Sequence, residues 1–191
     1  MSVVLIAGRT TVNNSIDPAK YLEVPQAPKN YKDPAKIAAY VEKASMEQMS
    51  MLGNVVVFGG LQQLATQEDD RVTDIGFDNF HDTKAIRDAI DRIADASVVV
   101  GFEAKRLCRI LVTQAAMTGV TDKLHRLHTM PKLDIFEEYT RESDRRLLSR
   151  PSFVSLVTGN DIQGDVTLLP LSRQLLLLRE LCKRYGIYSA Y

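Results

Sequence analysis

The sequence predicts an α/β protein in which a mixed β-sheet of about five strands is flanked by helices. Two observations favour this class. Short, fully apolar segments such as VVLI at 3–6 and SVVVGF at 97–102 are typical of parallel strands that are buried on both faces. Between such segments, apolar residues recur at helical spacing. The expected order is a strand, a connection with a helix, a hairpin, and then alternating helices and strands.

The first half of the chain begins with the strand at 3–6 and continues into a polar connection rich in proline. A helix is expected over about 34–51, because Asp33 suits its N-cap and Pro34 its first position. Two strands, Val55–Phe58 and about Arg71–Phe77, then flank a polar turn.

The second half predicts further helices and two strands. The strands are 97–102 and KLDIF at 132–136, which are short and apolar. The first helix is amphipathic and capped at Asp82–Thr83, and the second spans Ala104–Met117 and ends before Gly119. Short helices are expected in DRRLLS and SFVSLV. A closing helix runs from Leu168 to Tyr185, with Pro170 in its first turn and Gly186 as its stop.

Length and composition indicate one domain, residues 1–191, with an extended connection at about 12–33. The chain carries 24 Lys and Arg residues against 24 Asp and Glu, so its overall charge does not attract nucleic acid. No segment is long and apolar enough for a membrane span, and no charged leader precedes an apolar stretch. Cys108 and Cys182 lie in apolar, helix-like contexts and are expected to be free buried thiols. We therefore predict a cytoplasmic protein.

Three stretches carry a resemblance to a known family. They are PKNYKDPAKIAAYVEKA followed by GNVVVFGGL, DTKAIRDAIDRIADASVVVGFEAKRLCRILVTQAAMTGV, and KLDIFEEY. Together with the element order they resemble the DnaQ-like (DEDD) 3′–5′ exonucleases, and are most similar to exonuclease domains found in phage genomes. The resemblance covers nearly the whole chain. It implies an RNase H-like fold and a site where carboxylates hold two Mg²⁺ or Mn²⁺ ions.

The catalytic motifs of that family are degenerate here. The first motif, Asp-x-Glu, falls on Ala7 and Arg9, and the aspartate of the second motif falls on Cys108. Glu103 stands where the second motif has asparagine, and the acid nearest to the last motif is Asp165. The resemblance therefore implies no catalytic residues, no metal ligands and no cofactor.

The acids near the expected site have ordinary structural interpretations. Glu103 is expected to pair with Arg106 or Lys105, and Asp134 to cap the helix that follows it. Cys108 could act as a nucleophile only with an adjacent base and a lowered pKa. His125 and His128 are a weak metal signal and are more typical of a solvated pair.

Basic side chains give the remaining candidate site. The fold could bring four arginines together at the position where the exonuclease family holds its metal ions. These are Arg9, Arg106, Arg109 and Arg173, and their guanidinium groups would then bind phosphate. The alternative is a solvated helix face with ion pairs.

The sequence thus predicts a catalytically inactive exonuclease-like protein, encoded by a phage and located in the host cytoplasm. It would bind a protein of the replication, transcription or RNA-processing machinery, or single-stranded nucleic acid, and could form a homo-oligomer. One alternative is an active exonuclease with relocated ligands such as Asp165, which would need Mg²⁺ or Mn²⁺. A second is a structural or assembly subunit.

Overall fold

The computed structural model describes residues 3–8, 20, 22–51, 58–61, 72–75, 83–142, 145–146 and 149–187. Helices predominate in this part of the chain. In chain order the elements are β1 Val3–Ile6, α1 Pro34–Met51, β2 Phe58–Leu61, β3 Val72–Ile75, α2 Thr83–Ala94, β4 Val98–Gly101, α3 Ala104–Met117, α4 Leu124–Thr129, β5 Lys132–Asp134, α5 Ile135–Thr140, β6 Arg141–Glu142, β7 Arg145–Arg146, α6 Arg150–Thr158, a 3-10 turn Val166–Leu168, and α7 Leu171–Arg184.

Three of the strands form a parallel sheet with β4 in the middle, in the order β1, β4, β5. In its register Leu5 lies beside Val100, and Val100 lies beside Leu133. Every residue of β1 and β4 is buried. Helices must therefore cover both faces of these two strands, as the apolar sequence predicts.

The predicted five-stranded, RNase H-like mixed sheet is wrong for the described strands. β2 and β3 pair with each other in an antiparallel ladder, and among the described residues no ladder joins them to the parallel sheet, although β2 lies beside β1. β6 pairs with β7. Apolar patterning identifies segments that become strands, but it does not specify which strand edges form hydrogen bonds.

Two further local predictions need correction, and several are confirmed. The helices predicted at 34–51 and 104–117 are present. The short helix predicted in DRRLLS is wrong, because Arg145–Arg146 is a strand. The closing helix begins at Leu171, since a separate 3-10 turn occupies the preceding residues. The predicted strand at 55–58 falls mostly outside the described residues.

The chain divides into two compact units. One contains the described residues between Thr10 and Asn54, and the other contains the parallel sheet and the remaining elements. In the first unit, residues 22–33 are neither helix nor strand and lead into α1. Asp33 caps α1 as predicted, since its Oδ1 accepts a hydrogen bond of 2.9 Å from the N–H of Ala35.

Alternating side chains divide the core of the larger unit into two layers. Leu5 and Val100 contribute to one cluster, in which Phe136, Phe153 and Leu178 are also buried. Their neighbours along the strands point to the opposite face. The residues buried in α2 and α3 lie outside that cluster and include Ile86, Ile90, Ile93, Leu107, Ile110 and Leu111.

Gly101 lies at a close approach in this packing. A Cβ at this position would lie 2.7 Å from the carbonyl oxygen of Ile6 and 2.8 Å from its Cγ2. It would also lie 3.3 Å from the Cβ of Ala104. The missing side chain lets β1, β4 and the start of α3 approach one another.

Gly101→Ala should lower the free energy of unfolding by about 3 kcal/mol, because a backbone oxygen in a buried strand has little room to move. Gly119→Ala is the matched control. Gly119 has a positive φ of 75° but open space around it, so only a conformational cost of about 1 kcal/mol is expected. Urea titrations measure both values. Equal losses for the two variants would contradict the steric explanation.

Candidate functional site

The carboxyl ends of the three parallel strands meet at one edge of the sheet. Ile6, Gly101 and Asp134 lie side by side in the register there. Ala7 follows β1 directly, and Glu103 immediately precedes α3. The fold therefore brings Ala7, Glu103 and Asp134 to the same edge, which is where open α/β sheets commonly bind ligands.

Asp134 is held by the beginning of α3. Its Oδ1 accepts a hydrogen bond of 3.2 Å from the N–H of Ala104, and the backbone N–H of Lys105 lies near enough to favour the charged carboxylate. Glu103, the N-cap residue of α3, makes no capping hydrogen bond with its own side chain. Asp134 supplies that function from the neighbouring strand. Asp134 also directly precedes α5, and capping of that helix by Asp134 stays a prediction.

Burial raises the pKa of the Asp134 carboxyl to about 6, and the nearby Glu137 adds to the increase. The backbone N–H groups of α3 and the ammonium of Lys105 act in the opposite direction. Only 8% of Asp134 is exposed, so loss of hydration is the larger effect.

The other charged groups at this edge form ion pairs. Glu103 Oε2 lies 2.9 Å from Arg106 Nη1, which confirms the predicted pairing. Lys105 Nζ lies 3.7 Å from Glu137 Oε2. Both pairs are partly exposed, and each involves a residue in the first turn of α3.

Ala7 and Cys108 offer no ligand oxygen from their side chains. Ala7 is buried and its side chain is a methyl group. Cys108 lies on the buried side of α3, where burial raises the pKa of its thiol to about 12. The thiolate needed for nucleophilic attack is therefore disfavoured. As predicted, Cys108 and Cys182 are buried and form no disulfide.

The predicted phosphate-binding arginines occupy different elements. Arg106 and Arg109 lie one turn apart on α3, and Arg106 is the partner of Glu103. Arg173 is exposed near the start of α7. Arg9 lies outside the described residues. A common phosphate site for these four side chains stays a prediction.

Asp165 has a local structural role. Its Oδ1 accepts hydrogen bonds of 2.9 Å from both the N–H and the hydroxyl of Thr167, which starts the 3-10 turn. Gln174, which is buried in α7, completes this region by donating to the carbonyl oxygens of Thr167 and Leu169. The sequence analysis did not single out Gln174, although a glutamine within a leucine-rich helix is an unusual pattern.

The donor set does not fit a pair of divalent cations. Such ions require several oxygen ligands on one spot, whereas Asp134 is bound to the backbone of α3 and Glu103 to Arg106. Within the described residues, no three or more His, Cys, Asp or Glu side chains are grouped so that they could hold a metal ion. His125 and His128 are both exposed on α4.

A second candidate lies in the smaller unit. A groove of about 490 Å³ on α1, here called the α1 groove, is lined by Tyr31, Lys36, Ala39, Tyr40, Lys43, Ala44 and Glu47. The rings of Tyr31 and Tyr40 meet edge to face, with their centroids 5.7 Å apart. Sequence reasoning missed the groove. The available signal was Lys36, Tyr40, Lys43 and Glu47 at spacings of four, three and four residues.

No protein-family model, curated protein or solved structure matches this chain. The resemblance to DnaQ-like exonucleases therefore stays a prediction. None of the helices in the described residues has the combination of length and apolar character that is required to cross a membrane.

The raised pKa of Asp134 predicts a specific pH dependence of stability. A carboxyl that binds its proton more tightly when folded stabilises the protein below its unfolded pKa, and this contribution is lost as the pH rises through about 6. The loss between pH 4 and 6.5 should be roughly 2 kcal/mol. Asp134→Asn removes the titration and keeps an oxygen that accepts from Ala104.

Denaturant titrations across this pH range provide the measurement. The stability of Asp134→Asn should decline less than that of the wild type. Asp122→Asn, which removes a carboxyl from an exposed turn, is the control and should decline like the wild type because it retains Asp134. An identical decline in Asp134→Asn and the wild type would show that Asp134 is not responsible.

Proposed function

We propose that this protein acts by binding a partner and does not hydrolyse nucleic acid. The observation that carries this proposal is the hydrogen bonding of Asp134 to the start of α3. A cation at this edge would have to compete with those N–H groups for the carboxylate. Ala7 and Cys108 would add no oxygen ligand to compensate.

A protein is the first candidate for the partner. Three leucines in neighbouring elements are exposed: Leu156 on α6 by 74%, Leu168 in the 3-10 turn by 70%, and Leu176 on α7 by 57%. α6 packs against α7, and the 3-10 turn lies three residues before that helix. Exposed apolar side chains in adjoining elements favour contact with another protein.

Single-stranded nucleic acid is the second candidate, supported by the exposed side chains of Arg109 and Arg173. We further propose that the protein resides in the cytoplasm, because two thiols that form no disulfide suit a reducing compartment.

A nuclease assay tests the central claim. The purified protein is incubated with end-labelled single-stranded DNA and RNA, in Mg²⁺ or Mn²⁺, with a chelator in parallel. We expect no shortened products above those of the buffer alone, because the described carboxylates at the sheet edge are held in structural contacts.

A variant carrying Glu103→Gln and Asp134→Asn distinguishes this protein from a contaminating nuclease. Metal-dependent cleavage that disappears in the variant would overturn the proposal and support an active exonuclease. Cleavage that persists at the same rate in the variant would be assigned to a contaminant only if it also separates from the protein on a further column. Cleavage that copurifies with the protein would likewise overturn the proposal.

A further inference from the structure

The α1 groove, in the smaller unit, combines aromatic rings and ammonium groups on one concave surface. Its volume of about 490 Å³ lies within the range of about 300 to 1,000 Å³ that is typical of ligand sites. Tyr31 and Tyr40 contribute the rings, and Lys36 and Lys43 contribute positive charge. Two alanines also line the groove, and their short side chains leave room beside the rings.

The two tyrosine rings are positioned before any ligand arrives. A turn places Tyr31 ahead of α1, because its N–H donates a hydrogen bond of 2.9 Å to the carbonyl oxygen of Pro28. The cap at Asp33 then starts the helix that carries Tyr40. The two rings contact each other edge to face, with an angle of 76° between their planes. Such a contact covers one face of one ring only, so it leaves ring surface on which a planar group can stack.

Lys36, Tyr40 and Lys43 follow one another along the groove. Each is about one helical turn from the next, since the spacings are four and three residues. At about 1.5 Å of rise per residue, Tyr40 lies about 6 Å along the helix from Lys36 and about 4.5 Å from Lys43. A ring with a cation on each side suits a ligand in which a planar group has a negative charge on each side.

The two lysine ammonium groups can both serve a ligand. Lys36 and Lys43 are exposed, and within the described part of the chain neither takes part in an ion pair. Glu47 is the acidic residue of the lining, but it already has an interaction within the structure and lies beyond Lys43. Among the lining residues from Lys36 to Lys43, all of the charge is therefore positive.

We propose that the α1 groove binds single-stranded nucleic acid. A base stacks on the ring of Tyr40, and the phosphates on either side of that base contact the ammonium groups of Lys36 and Lys43. Tyr31 holds the ring of Tyr40 in place, which lowers the entropy lost on binding. Contacts to phosphates and to the face of a base do not read the base edges, so we expect little sequence preference.

The rings separate this occupant from an acidic peptide. Two ammonium groups attract any polyanion, but carboxylate side chains carry no aromatic ring to stack on tyrosine. A nucleic acid strand uses both the charge and the aromatic surface of the groove. A double helix fits less well, because its bases are stacked on one another and cannot stack on a side chain.

This inference rests on the proposed function, in which single-stranded nucleic acid is the second candidate partner. It assigns the binding to residues of α1, whereas Arg109 and Arg173 belong to α3 and α7. The binding measurements contain a chelator and no divalent cation, so metal-dependent hydrolysis does not contribute to them. The binding assay and the nuclease assay can therefore fail independently of each other.

Fluorescence anisotropy tests the binding directly. A labelled oligothymidylate of about 10 nucleotides is titrated with the protein up to about 100 µM, in about 50 mM salt. We expect saturable binding whose affinity falls as the salt concentration rises. An abasic oligonucleotide of the same length keeps the phosphates without the bases, and should bind about 10-fold more weakly. An oligoglutamate of similar length should also bind more weakly than oligothymidylate.

Variants of the groove separate stacking from charge. Tyr40→Leu removes the aromatic face and should weaken binding of oligothymidylate about 10-fold, while binding of the abasic strand should not change. Tyr40→Phe keeps the ring and should bind like the wild type. Lys36→Gln and Lys43→Gln should each weaken binding about 5-fold and reduce the slope of log affinity against log salt by about 0.7.

Lys29→Gln is the matched control for the lysine variants. It removes the same charge from an exposed residue of the same unit that does not line the groove. Its affinity and its salt slope should stay close to those of the wild type. The circular dichroism spectrum of each variant shows whether α1 is retained.

Three results would overturn the proposal. The first is a wild-type protein that does not bind oligothymidylate under these conditions. The second is an abasic strand or an oligoglutamate that binds as tightly as oligothymidylate. The third is a set of groove variants that fold and bind like the wild type, which would place the binding elsewhere and leave the proposed function standing. Cleavage in the nuclease assay would instead overturn the proposed function without changing what the groove variants report.

Discussion

The close approach of Gly101 to Ile6 is the constraint on which the larger unit depends. It joins the end of β1 to the end of β4 and lets α3 begin directly above them. Because α3 begins there, its first N–H groups lie beside the end of β5 and need an acceptor. Asp134 provides it. The missing side chain at Gly101 thus leaves room for α3 to start close to β1 and β4, beside the buried carboxylate of Asp134.

The local elements of this chain were predictable from the sequence because their signals are local. The apolar run of β4, the spacing in α3 and the capping residues of α1 each lie within a few positions of one another. The burial of both cysteines without a disulfide was predictable for the same reason. Each prediction depends on the residue types immediately around it.

The assembly of those elements was not predictable in the same way. The strand pairings depend on which edges meet in space, so two correct strands, β2 and β3, were assigned to the wrong sheet. The capping of α3 by Asp134 joins residues 30 positions apart, and no pattern marks it. The burial of the Asp134 carboxylate and its hydrogen bond to α3 both belong to this contact. A carboxylate that pattern matching treats as a candidate ligand is instead part of the support for a helix.

The pairing of β1 with β4 has a consequence for how the chain folds during synthesis. Val3 pairs with Val98, so the first strand of the sheet leaves the ribosome long before its partner. Contacts between residues so far apart in sequence form slowly, because a long loop must close first. Until then an apolar strand that is buried on both faces in the final structure has no partner in the sheet. Until β4 is synthesised, β1 therefore lacks its partner in the parallel sheet, and unpaired apolar strands of this kind favour aggregation.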